Sequence, residues 1–266
     1  MSNAFVGYPV VQGQVRLHVA GHTLEIQAAV PDAEVYLDEM LPLFRVLTDA
    51  LVSVGISNTE AAGNKVTCSK GCGACCRQLV PITVPEVLAL ARTMESWPEV
   101  RRSRVRAGFA AVTHGLVESG WLKRWNDFLD HPAGGPQAFI ELGLDYFRLG
   151  LPCPFLEEEA CSVYEERPLI CRQFLALSDP ALCRDPSDSM RTVPLPARPN
   201  SILGGMALGA GYPSAFLPLT LLLDLAAGTP SRGQQKSGMA WAEALFKVLS
   251  GKEVPEPDQP GPLMAG

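Results

Sequence analysis

Four cysteines crowd into nine residues, Cys68-Ser-Lys-Gly-Cys-Gly-Ala-Cys-Cys76, and four more follow at wide intervals as Cys153, Cys161, Cys171 and Cys183. That distribution admits three uses: a disulfide scaffold, a catalytic redox pair, or a nest for metal. A chain of 266 residues with 47% apolar side chains can bury a core without covalent staples, so folding does not call for disulfides. The opening MSNAFVGYPVVQGQ has neither a basic n-region nor a continuous apolar stretch, does not read as a secretion signal, and leads us to expect a cytoplasmic protein. Clustered thiols in a reducing compartment hold metal or carry redox chemistry more often than they form stable bridges.

The short gaps between Cys68, Cys72 and Cys75 let one loop present several sulfurs to one ion or cluster. Gly71 and Gly73 flank Cys72 and are free to take backbone conformations that turn N–H groups towards sulfur. Adjacent Cys75 and Cys76 are a constraint: successive side chains diverge, so the pair does not suit one compact tetrahedral ion. The later cysteines are spaced too widely to form a site locally. Both difficulties disappear if the two groups meet in the fold, the metal then acting as a tertiary staple.

Along the chain, residues Gln14 to Val30 alternate apolar and polar side chains on both sides of Ala20-Gly21, which predicts a hairpin with one buried face. From residue 31 the apolar period becomes helical, with Pro42 marking a break or restart. Thr83-Val-Pro-Glu86 has capping-box spacing and predicts a helix to about Ser96; others are expected from Pro98 and over Trp121 to Leu129. Residues 187–213 read as Gly-rich and irregular, Ala215 to about residue 227 as a buried apolar helix, the following GTPSRGQQKSG as a polar linker, and Met239 to Leu249 as a last helix. The expected fold is mainly α. It comprises an N-terminal β hairpin over residues 1–30, a helical cysteine-cluster domain with cysteine-rich loops over 31–250, and a disordered tail over 251–266.

CSKGCGACC, followed by VPITVPEVLAL, PCPFL, ACSVYEERP and ICRQF, resembles the YkgJ-type cysteine-cluster family, described as a zinc- or iron-chelating domain. The resemblance covers roughly residues 65 to 175. It carries over to Cys72, Cys75, Cys76, Cys153, Cys161 and Cys171. Cys68 sits one residue further out than the family's usual C-x2-C-x2-C-C opening places it, and Cys183 falls outside the aligned pattern. The implied metal ligands are therefore Cys68, Cys72, Cys75, Cys76, Cys153, Cys161 and Cys171, holding a zinc or iron ion or, alternatively, an iron–sulfur cluster. Some relatives are linked to iron–sulfur chemistry, so an enzyme of redox or group-transfer type is the competing reading.

Four thiolates on a divalent ion leave about two net negative charges, so neighbouring cations matter. Lys70, Arg77, Arg167 and Arg172 are the candidates, Arg172 foremost, and each also reads as a surface charge. Glu157, Glu158 and Glu159 suit a solvated loop better than a soft-metal site. The four histidines, His18, His22, His114 and His131, are scattered. The first three cysteines match radical S-adenosylmethionine spacing, but no alternation of strands and helices follows to build that barrel. A thiol oxidoreductase using Cys72-x2-Cys75 lacks the βαβ setting of such enzymes. A net charge of −6 with dispersed Lys and Arg gives no footprint for nucleic acid or an anionic membrane, so the expected partner is a metal ion.

Overall fold

The computed structural model describes residues 5, 7–130, 135–184, 190–228 and 232–251; His131 and, of the tail expected over 251–266, all but Gly251 lie outside them. The hairpin forms from strands β1 (Val10–Val19) and β2 (His22–Pro31), paired from Val10↔Pro31 to Val19↔His22. Its two-residue turn puts both Ala20 (φ 47°) and Gly21 (φ 83°) in the left-handed region, as the twist of a tight hairpin requires. Leu17, Val19, Leu24, Ile26, Ala28 and Val30 face inward.

A short strand β3 (Glu34–Tyr36) and a 3-10 turn lead into helix α1 (Leu41–Ala61), with Pro42 in its first turn, where a missing N–H costs nothing. Hairpin and α1 share the largest core with Leu203, Ala207, Trp241 and Leu245. Residues Leu37–Ala61 are long and apolar enough to span a bilayer by length and composition. In the fold, Leu41, Leu43, Phe44, Leu47 and Leu51 of that stretch are buried in the largest core.

After the first cysteine loop come β4 (Pro81–Ile82), α2 (Val84–Glu95), α3 (Glu99–Glu118), α4 (Trp121–Asp130) and α5 (Gly135–Arg148). The capping box at Thr83 and Glu86 is present as expected. Between α4 and α5, Trp121 stacks on Trp125 at 5.7 Å and its indole N–H donates to the Leu142 carbonyl at 2.8 Å. The second cysteine region carries β5 (Leu156–Glu157), β6 (Ala160–Cys161) and α6 (Leu169–Gln173). The remainder is α7 (Pro199–Gly209), β7 (Leu217–Pro218), α8 (Leu222–Gly228), β8 (Gln235–Ser237) and α9 (Gly238–Leu249).

The mainly α fold stands, with nine α-helices among the described residues and no sheet there of more than two strands. Three expectations need correction. The Gly-rich segment is helical over α7, because Gly204 receives the Phe216 ring: a Cβ there would lie 2.7 Å from Phe216 Cζ. The apolar helix starts only at Leu222, since the preceding residues pair Leu217–Pro218 with Pro81–Ile82 and then form a 3-10 turn. β structure also extends beyond the hairpin, for the polar linker supplies Gln235–Ser237 to a ladder with Glu34–Tyr36.

Candidate metal centre

All eight cysteines line one cavity of about 170 Å³. Two cysteine groups that lie some 80 residues apart along the chain are thus neighbours in space, and every one of the eight is a free thiol. Apolar side chains, among them Val80, Phe155, Val163, Phe174 and Leu219, make up much of the remaining wall. Among the described residues no carboxylate and no imidazole lines it.

Backbone hydrogen bonds hold the two groups together. The Cys153 N–H donates to the Cys76 carbonyl at 2.7 Å. Thr67 donates from its N–H to the Ala176 carbonyl at 2.9 Å, and the Ala176 N–H returns a bond to Cys68 Sγ at 3.0 Å. Gly71 takes φ 91°, a conformation that favours glycine, whereas Gly73 serves close approach. A Cβ on Gly73 would stand 2.4 Å from the Glu159 carbonyl oxygen and 2.5 Å from Leu156 Cδ1. The first loop therefore lies directly on the β5–β6 hairpin, whose turn residues Glu158 and Glu159 both have positive φ.

Cys171 is placed by α6, and α6 is placed by Glu86. That carboxylate, 3% exposed, accepts from the Thr83 N–H at 2.9 Å and from the Leu169 N–H at 2.7 Å, so one side chain caps α2 and the first turn of α6. Burial pushes the Glu86 carboxyl above its usual range.

The candidate cations divide. Lys70 and Arg167 line the cavity and both lie over the Tyr164 ring, at 4.8 and 3.7 Å from its centroid. Lys70 also pairs with Glu165 at 2.9 Å. Arg172 is buried but turns to α1, donating to both Asp49 carboxylate oxygens at 2.9 and 3.0 Å and to the Glu165 carbonyl. Arg77 pairs with Glu159 at 2.6 Å, where Arg184 joins it. Neither Arg172 nor Arg77 lines the cavity. The α7 glycines do not line it either.

Burial raises the thiols. Cys153 and Cys183 are pushed up to about 12, and Cys161, Cys171 and Cys68 also rise, each chiefly through desolvation. The Cys75 and Cys76 thiols hydrogen-bond to one another, which lowers Cys75 and raises Cys76. Cys72 is exposed at the mouth.

Sulfur-only donors suit zinc or iron. Among the described residues, however, no three His, Cys, Asp or Glu side chains stand close enough to share one ion. The donors are gathered around a common space, and binding has to draw them inward.

Residues 67–188 match the CxxCxxCC family model, described as "Putative zinc- or iron-chelating domain". This segment is a CxxCxxCC domain. No curated protein and no solved structure matches the chain. The CxxCxxCC domain includes both cysteine groups and extends past Cys183, which the sequence pattern had left outside. Cys183 is 3% exposed and packs with Ala74, Phe174 and Ala176, beside Cys68 and Cys75. Its spacing of eleven residues from Cys171 resembles no short ligand motif, and only the fold brings it in.

Proposed function

We propose that this is a cytoplasmic metal-binding protein in which both cysteine groups supply thiolates to zinc or iron, for metal handling, sensing or local structure. The observation that carries the reading is the cavity lined by eight free thiols and by no other strong ligand class among the described residues. Lys70 and Arg167, at the cavity wall, offset part of the negative charge that thiolates bring. Cys68, Cys72, Cys75, Cys76, Cys153, Cys161 and Cys171 are the ligands this reading names. The open mouth at Cys72 favours a second reading, an iron–sulfur enzyme that admits a substrate to its cluster.

Anaerobic purification followed by metal analysis and an absorption spectrum separates the two. Colourless protein with stoichiometric zinc, or iron without sulfide, supports the ion-binding reading. Brown protein with iron and acid-labile sulfide supports the enzyme reading. Protein that neither carries metal nor takes it up after reduction of its thiols contradicts both.

A further inference from the structure

We propose that the cavity binds two metal ions per chain, one on Cys68, Cys72, Cys75 and Cys183 and the other on Cys76, Cys153, Cys161 and Cys171. The inference rests on the metal-binding reading above and adds the number of ions, the division of ligands, and a ligand role for Cys183.

The adjacent pair supplies the first argument. Cys75 packs with Cys68 and Cys183, whereas the backbone of Cys76 is bonded to Cys153, so the two adjacent cysteines fall into different sets although their thiols touch. The packing divides the thiols at the same place. Cys68 and Cys75 lie against Cys183 in a small buried cluster with Ala74, Phe174 and Ala176. Cys153 and Cys161 pack instead against the neighbouring core of Phe155, Val163 and Leu219. Cys76 is joined to that second wall through its carbonyl, which accepts from the Cys153 N–H at 2.7 Å. Cys171 reaches the cavity from α6, and Cys72 from the same loop as Cys68 and Cys75.

Volume supplies the second argument. Four sulfurs around one ion at about 2.3 Å leave no void between them. A cavity of about 170 Å³ has room for roughly five or six waters at ~30 Å³ each, and eight thiols spread around its wall cannot all reach one central ion. Eight thiols with no competing donor make two complete sets of four. A single occupied set would leave four more thiols in the cavity wall without a metal.

The test is anaerobic titration of the reduced, metal-free full chain with zinc ions, read by native mass spectrometry after challenge with a weak chelator. Two zinc ions per chain are expected. The double variants Cys72→Ser/Cys183→Ser and Cys161→Ser/Cys171→Ser should each retain one, and the combination of all four substitutions none. Circular dichroism verifies that each variant is folded; should one double variant fail to fold, the wild-type stoichiometry and the other double variant still decide. Wild type saturating at one zinc, or either folded double variant retaining two or none, overturns the division while leaving metal binding intact. Iron with acid-labile sulfide in the protein as isolated would replace two ions by one cluster and also overturn it. Failure of the wild type to take up any zinc would instead remove the metal-binding reading itself.

Discussion

Gly73 brings two remote parts of the chain into contact, and its lack of a side chain is what permits it. With a Cβ only 2.4 Å from a backbone oxygen, Gly73→Ala forces the loop off the β5–β6 hairpin, since backbone cannot give way as a flexible side chain can. We expect a loss of about 1–3 kcal/mol in denaturant unfolding, together with weaker metal retention. Gly71→Ala tests a different property, the φ of 91°, and meets no neighbouring atom. The thiols give a second prediction at this scale. Because burial lifts Cys153 and Cys183 to about 12, they are protonated at neutral pH without metal, and each must lose a proton to become a ligand. Metal uptake should therefore release protons, measurable by calorimetry in buffers of different ionisation enthalpy, and apparent affinity should rise with pH. For the metal-free fold the sign is opposite. Values raised above those of the unfolded chain give stability that is complete below the ordinary thiol range and is lost as pH climbs through about 12. Uptake without proton release would mean that the thiols are not the ligands. The glycines could be singled out in the sequence, but only Gly71 uses the conformational freedom read there; the role of Gly73 depends on a partner more than eighty residues away.

Among the elements, the short helix α6 is too small to stand alone, and its placement is borrowed. Glu86 caps the N-termini of both α2 and α6, and Arg172 ties α6 to Asp49 of α1. Replacing Glu86 with Ala leaves the Leu169 and Thr83 N–H groups without their acceptor in a buried site. We expect a loss of about 1–3 kcal/mol by chemical denaturation, with Glu86→Gln milder because one acceptor oxygen remains. An unchanged unfolding midpoint for Glu86→Ala would show that packing alone sets α6. The capping box was legible because its signal is local, and so was the hairpin, whose alternation and Ala20-Gly21 turn lie within twenty residues. The second partner of Glu86 was not legible, nor was α7, whose glycines read as irregular until Phe216 fills the space beside them. Arg172, next to Cys171, stands foremost among the cations expected beside the thiolates, yet it is not one of the residues that line the cavity. Successive positions on a helix point apart, and the structure directs it to α1.

For the whole molecule, the convergence of the two cysteine groups followed from what each lacked: an adjacent pair in one, wide gaps in the other. Periodicity and spacing carried that much. Cys183 was not legible, because its membership depends on the path of residues 174–183 past Cys68, fixed by the bonds of Thr67 and Ala176. The large core around the hairpin, α1 and α9 owes nothing to the cysteines, while the loop from 68 to 76 has no regular helix or strand of its own. Metal removal should therefore loosen the cysteine segments and spare that core. Amide hydrogen exchange of the full chain, with and without its metal, tests this most directly. The account predicts that metal slows exchange together in residues 65–80 and 150–183, with α1 and α9 unchanged. Protection of one cysteine group alone, or of neither in a chain shown to carry metal, would contradict the claim that both groups hold it.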